Sequence, residues 1–440
     1  MGTFLINSEV KKMQYQLRNN KEWLLYILDK NNIEYVLLSE YLDLKTNGDL
    51  DLYIPIKYKN QLEDLFKKYN IYKMKHIPAY KNHYYYYGYI QNKTLRIDIK
   101  YEMSFYDKDF NVYRIYNNEN SIISNRIEIK KNIMAPNYFE AIILYLSKIA
   151  FYEKSAISKE NIKNAILYID SFRKKLNSEE QQIIDKLNTI LLTKIKTEEN
   201  KEKITKELRK RLRIYFEITK KGISLKDKLL RKIKLFGQPK FAILFLGADG
   251  AGKSTIIKAL EQYLDIPYKE LYGGVGEKGW SNFLTLWFYK KITNSYILKK
   301  TQIARLLMYN IFSLEILLRR LPTINNGKNI LLFIDRAPPL IKSRAKIVSN
   351  LFYYLFHKPN LVIKLTAPID VLCNRKPKEL TKEIALQKTK EDDKLFLFYK
   401  NKHISSYEIN TFSNNLLQTE KYIESILWKD NNLKKALFYV

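Results

Sequence analysis

"FLGADGAGKST", residues 245–255, carries three of the 13 glycines of a 440-residue chain. The apolar run before it, "FAILFL" (241–246), has the length and composition of a buried strand, and "TIIKALEQYL" (255–264) puts Ile256, Ile257, Leu260 and Leu264 on one helical face. The order is strand, glycine loop, helix. Gly247, Gly252, Lys253 and Ser254 fill the fixed positions of G-x-x-x-x-G-K-[ST]. Glycine lets the backbone curl until successive N–H groups face inward at phosphate oxygens, and the helix that follows adds the positive end of its dipole. The expected phosphate cradle is Gly247, Asp249, Gly250, Ala251, Gly252, Lys253, Ser254 and Thr255. In it Lys253 meets the β- and γ-phosphates of ATP and the Ser254 hydroxyl ligates Mg²⁺.

Two further strand ends complete this reading. "NILLFIDRAPP" (329–339) is an apolar strand ending in Asp335 and Arg336. A carboxylate at the carboxyl end of a neighbouring parallel strand suits a Mg²⁺ partner, and the adjacent arginine reaches a transferred or acceptor phosphate. "LVIKLTAPIDVLCNRKPKELTKE" (361–383) turns through "TAP" into a helix with Arg375 and Lys376, which are placed to close over the phosphates. Lys253, Asp335, Arg336 and Arg375 are the expected catalytic residues.

Together these pieces resemble the thymidylate kinase family and its relatives among the P-loop nucleoside monophosphate kinases, over about residues 240–430. "GADGAGKST" is similar to that family's G-x-D-G-x-G-K-[ST] loop, in which the residue matching Asp249 helps place the acceptor nucleotide. "IDR" resembles its Asp-Arg element, and "LTAPIDVLCNRK" its strand, apolar-proline turn and lid-proximal arginine. The resemblance implies ATP and Mg²⁺ as cofactors. The family follows Asp-Arg with Tyr and, three residues on, Ser; here Ala337 and Leu340 stand there, which points to an acceptor other than thymidylate. On the acceptor side "LYGGVGEKGW" (271–280) offers Gly273, Gly274 and Gly276 for close backbone approach and Trp280 as a wall. Arg305, Arg319 and Arg320 on the helical pattern 303–321 are either acceptor contacts or solvated surface.

A second constellation precedes the loop. In "GDLDLYI" (48–54) Asp49 and Asp51 project from one strand face and Leu50, Leu52 and Ile54 pack beneath the other, and "LRIDIKYE" (95–102) likewise projects Asp98. Three carboxylates so placed suit Mg²⁺ in phosphoryl or nucleotidyl transfer. Over residues 15–110 this resembles the polymerase β-type nucleotidyltransferase fold, with Ser39 matching the family's Gly-[Gly/Ser] turn and Leu38 standing where its Gly would be. The competing reading is a degenerate domain in which Asp98 pairs with Arg96 or Lys100.

The expected organisation is an α+β nucleotidyltransferase-like domain over 1–125, a helical connector over 126–235, and an α/β P-loop domain over 236–440 with a parallel sheet flanked by helices. A single cysteine, Cys373, excludes an internal disulfide and a four-thiolate metal site. No signal pattern or membrane-length apolar run is read, and a cytoplasmic setting is expected. The formal charge of +31 is compatible with nucleic acid or an anionic membrane surface as partner, but the lysines are scattered without an accompanying recognition motif. The expected function is ATP- and Mg²⁺-dependent phosphoryl transfer to a nucleotide or other small anionic metabolite. A nucleotidyltransferase with a regulatory ATP module and a basic ATP-switched surface binder are the alternatives, and a homodimer stays open.

Overall fold

The computed structural model describes residues 20–38, 49–75, 82–106, 112–115, 119–130, 133–151, 159–196, 201–220, 241–264, 266–274, 283–294, 311, 314–315, 318–319, 331–337 and 358–440. The chain divides between two units, one reaching to Leu229 and one running from Leu230 to Val440 with the short segments Met74–Ile77 and Asn92–Thr94.

Period-two alternation builds the first unit. Its strands β1 (Val36–Leu37), β2 (Leu50–Tyr53), β3 (Tyr72–Met74), β4 (His83–Ile90) and β5 (Lys93–Lys100) lie in the order β1-β2-β5-β4-β3. The β2–β5 pair is parallel and sets Asp51 directly beside Asp98. Leu50, Leu52, Ile54, Ile97 and Ile99 are wholly buried in one core with Trp23, Leu24 and Leu28 of the helix Asn20–Lys30. Because successive strand side chains alternate in direction, burying these leucines and isoleucines turns the aspartates to the other face.

The helices Tyr138–Phe151, Lys159–Phe172, Ser178–Lys196 and Lys201–Leu212 bury a separate core that includes Ile142, Leu146, Ile169, Ile184, Leu191, Leu208 and Leu212. They belong to the first unit. Two parts of the expected helical connector are strands instead. The segment 127–135 forms a hairpin of β8 (Ile127–Lys130) and β9 (Ile133–Ala135), after β6 (Ser104–Tyr106) and β7 (Val112–Ile115). The segment "IYFEITK", read as the end of a helix, supplies β10 (Phe216–Lys220), antiparallel to β7, which in turn pairs with β6. Aromatic and β-branched residues suit a strand, and β7 brings the ladder partner that one sequence window does not reveal.

In the second unit β11 (Phe241–Leu246), β12 (Tyr268–Tyr272), β13 (Leu331–Asp335), β14 (Leu361–Thr366) and β15 (Ser405–Asn410) form a sheet of order β12-β13-β11-β14-β15, every neighbouring pair parallel. Parallel strands covered on both faces read as continuous apolar runs, and every β11 residue is buried. The chain leaves β11 for helix Lys253–Tyr263 where sheet order reverses to either side, the position at which open parallel sheets bind ligands outside their carboxyl ends. Side-chain caps fix the starts of two flanking helices: Thr381 accepts from the Ile384 N–H, and Asn415 forms a reciprocal capping box with Gln418. No helix among the described residues is long and apolar enough to cross a membrane.

One helix carries a strained acid. Burial pushes the Glu140 carboxyl up to about 7, and its Oε2 is buried without a hydrogen-bond partner. The folded chain therefore holds a proton that the unfolded chain has already released, and stability falls as pH rises from the ordinary carboxyl range toward 7. Glu140→Gln is expected to raise the melting temperature at pH 8 and leave it unchanged at pH 4. Melts at the two pH values check this, and an equal shift at both contradicts it.

Candidate functional site

The loop after β11 takes its shape from two close approaches. A Cβ on Gly247, φ +142°, would lie 2.5 Å from Leu365 O, and one on Gly250, φ +82°, would lie 3.1 Å from Leu372 O. The first excludes a side chain outright, and the second disfavours one through tight contact and its left-handed φ. Gly252, φ +90°, is different: a Cβ there meets nothing within 4 Å, so the loop's inner surface is open at the start of the helix. Left-handed φ at these places is what glycine supplies without cost.

Lys253 lies at that opening. Its Nζ donates to Gly247 O at 2.6 Å and to Ala248 O at 3.2 Å, and the residue is 5% exposed. Burial pushes its ammonium below the usual lysine range, and the positive charge of Arg336 adds to the effect. A polyanion entering here relieves both penalties. Ser254 and Thr255 follow on the exposed side of the first turn and line the cleft. The Ser254 hydroxyl is 3.4 Å from Oδ2 of Asp335, at the end of β13, while Oδ1 of Asp335 is buried with no hydrogen-bond partner. A hydroxyl and a half-satisfied carboxylate side by side are a hard-oxygen set of the kind Mg²⁺ takes, so these residues fit that ion.

Beside the glycine loop lies a cleft of about 980 Å³, lined by the loop together with Arg375, Lys376, Phe412, Asn414, Leu416 and Thr419. Arg375, expected over the phosphates, instead spends its guanidinium on Gly250 O at 3.0 Å and Thr411 O at 3.3 Å, bracing the loop from the cleft rim. Thr411 assists, its hydroxyl 3.1 Å from Ala251 O. Thr411 follows β15 and carries no motif, so only the fold brings it to the loop.

On the loop's other side the Asp249 carboxylate takes two cations, Arg336 on one oxygen and Lys388 on the other. Burial works to raise this carboxyl, but Lys388, Arg336 and Lys253 outweigh it and hold it below the ordinary aspartate range. Arg336 is thus turned to Asp249, with the Tyr272 ring 5.7 Å from its guanidinium carbon. Its φ of +72° is a left-handed conformation in a non-glycine residue, held by its N–H donating to Phe245 O at 3.2 Å. No sequence motif marks Lys388. Arg319 is buried and holds the strand end, donating from Nη1 to Tyr272 O at 2.8 Å and Gly274 O at 2.9 Å, and from Nε to Glu315 at 2.9 Å. It acts on the backbone of the β12 loop, and is not solvated surface. Gly276, Trp280, Arg305, Arg320 and Leu340 lie outside the described residues, as does Ser39.

The first unit brings its three acids together: carboxylate oxygens of Asp49, Asp51 and Asp98 all lie within 4.8 Å of one another. Each has a basic neighbour. Arg96 is 3.4 Å from Asp49, Lys148 is 3.7 Å from Asp51, and His83 bonds Asp98. Burial and the Asp98 charge push the Asp51 carboxyl up. Burial works to raise Asp98 as well, but the His83 bond and the charges of His83, Lys100 and Arg96 overcome it and hold Asp98 low. The partner of Asp98 is therefore His83 from β4, in place of the expected Arg96 or Lys100 on its own strand.

No family model matches the chain, and no curated protein matches it in sequence. Among solved structures it is similar to a thymidylate kinase from Candida albicans at 16% identity and TM-score 0.33, over 44% of this chain and 94% of that one. It is similar to a shikimate kinase from Acinetobacter baumannii at 14% identity and TM-score 0.25, over 46% and 98%. A deoxyadenosine kinase from M. mycoides is similar at 16% identity and TM-score 0.28, over 42% and 99%. At these scores no residue's role passes from those proteins to this one.

Proposed function

We propose that the second unit binds ATP with Mg²⁺ and transfers the γ-phosphoryl group to a small anionic acceptor. The observation that carries this reading is the placement of Ser254 Oγ 3.4 Å from an Asp335 carboxylate whose other oxygen is buried and unsatisfied, at the foot of a loop that buries Lys253. Mg²⁺ at Ser254 and Asp335 supplies charge that offsets the nucleotide phosphates. Lys253 and backbone N–H groups of the glycine loop bind and orient the phosphate chain. Arg375 and Thr411 keep the loop in its binding shape through the Gly250 and Ala251 carbonyls. An acceptor oxygen forms a bond to the γ-phosphorus as the bond from that phosphorus to the bridging oxygen breaks, and ADP leaves with the electron pair. An ionised phosphate acceptor needs no base for this. Positioning and charge neutralisation therefore supply most of the catalysis.

Lys253→Ala is expected to keep the melting temperature within a few degrees while weakening binding of AMP-PNP by at least about tenfold, since a charge-assisted contact to phosphate is lost. Calorimetric titration checks it, and unchanged affinity refutes the assignment. Asp335→Asn tests the metal half. Its expected signature is an affinity close to the parent in EDTA and a clear loss in Mg²⁺.

The convergence of Asp49, Asp51 and Asp98 within 4.8 Å supports a second reading, a divalent-metal site of nucleotidyl-transfer type in the first unit. There the metal displaces the paired cations of Arg96 and Lys148. Paramagnetic titration with Mn²⁺ is expected to find a site that survives Lys253→Ala and disappears in the double variant Asp49→Asn, Asp51→Asn. If the double variant keeps all bound Mn²⁺, the first unit has no such site.

A further inference from the structure

The pairing of Asp249 with two cations from separate elements says more about the acceptor than the loop motif does. Arg336 reaches it from the turn after β13 and Lys388 from the helix Lys382–Asn401, each on its own oxygen. A carboxylate with one cation per oxygen presents the same face as two oxygens of a phosphate. The three groups line a cavity of about 150 Å³ together with Gly247, Ala337 and Asp392. That is far below the ~300–1,000 Å³ of pockets that enclose a drug-sized ligand, so the cavity takes the head of a molecule and not the whole of it. Arg336 Nε is buried there with no hydrogen-bond partner, so one donor of the fork is still unspent.

Resting on the phosphotransferase reading, we propose that Lys388 is an acceptor-binding residue: it and Arg336 together receive the phosphate of a small phosphomonoester, and Asp249 occupies that position in the empty protein as an internal counter-ion. The carboxylate keeps both side chains pointed into the cavity and neutralises them until an anion with more charge replaces it. Asp392 and Glu391, one turn beyond Lys388 on the same helix, also line the cavity and confine the anion to its Lys388 end. Helical spacing accounts for the shared face: Ala385 and Leu395 are buried beneath it, and Lys388, Glu391 and Asp392 project at intervals of three and four.

The test uses the full chain saturated with AMP-PNP and Mg²⁺, so that the phosphate loop is filled, and titrates inorganic phosphate by calorimetry. The parent is expected to bind one phosphate. Lys388→Gln is expected to weaken it by about tenfold or more, the loss of one charge-assisted bond, and Lys388→Arg to restore most of the affinity. Asp249→Asn is expected to tighten phosphate binding, because the competing carboxylate is gone; a merely structural Asp249 would give weaker binding. Equal affinity in the parent and Lys388→Gln overturns the proposal, and so does weakened binding in Asp249→Asn. A parent that binds AMP-PNP but no phosphate overturns it while leaving the nucleotide reading standing. A parent that does not bind AMP-PNP removes the reading on which it rests.

Discussion

The site depends on the closeness of one loop to one strand end. Gly247 approaches the carboxyl end of β14 so nearly that any side chain would collide with Leu365 O, and at Gly250 a left-handed φ of +82° and a tight approach to Leu372 O disfavour one. A parallel sheet makes this possible. With β11 at the centre and β13 and β14 on either side, three carboxyl ends converge, and the backbone between β11 and its helix is pressed against one of them. The same convergence puts Asp335 across from Ser254 and delivers Arg336 to the far side of the loop. Thr411, at the end of the outer strand β15, reaches the Ala251 carbonyl from the cleft side.

Asp335 and the Asp49, Asp51, Asp98 group are built to different ends. Asp335 keeps one oxygen buried and unsatisfied, a costly state that the Mg²⁺ proposed there would relieve. In the first unit Arg96, Lys148 and His83 stand against Asp49, Asp51 and Asp98. Mutual repulsion of three carboxylates within 4.8 Å is only partly offset there, since the Asp98 charge still pushes the Asp51 carboxyl up, and a metal has to displace existing partners to relieve the rest. The local balance therefore matters more than the formal charge of +31, which is spread over the whole chain.

The sequence made legible whatever rests on short-range pattern. A strand, three glycines and Lys253 in fixed spacing, an acid at the end of an apolar run, and two alternating strands with aspartates on one face were all readable from consecutive residues. What was missed comes from contacts between distant residues. Lys388 sits on a helix rich in lysine and glutamate, with nothing to separate it from its neighbours until the fold brings it to Asp249, 139 positions away. Thr411 and Arg375 follow the same rule, and the helix expected to run on through 216–220 gives way to a strand there because β7 supplies its partner. Arg319, open in the sequence between an acceptor contact and solvated surface, is neither, because the Tyr272 and Gly274 carbonyls need donors once that strand end is buried.

Asp249 combines these constraints. Its position in the loop is set by the flanking Gly247 and Gly250, its charge by the cations of Arg336 and Lys388, and its surroundings by the turn after β13 and the helix from Lys382. A neutral residue at 249 would leave Arg336 and Lys388 without their shared counter-ion beside buried Lys253, with only Glu391 and Asp392 on the cavity lining and Asp335 nearby to offset the three positive charges. In the empty protein that repulsion is unfavourable in proportion to how little water reaches it. The aspartate is what allows so much positive charge to be assembled in one place, and on the acceptor reading proposed above a phosphate would meet donors already held in place instead of side chains that must be ordered on binding.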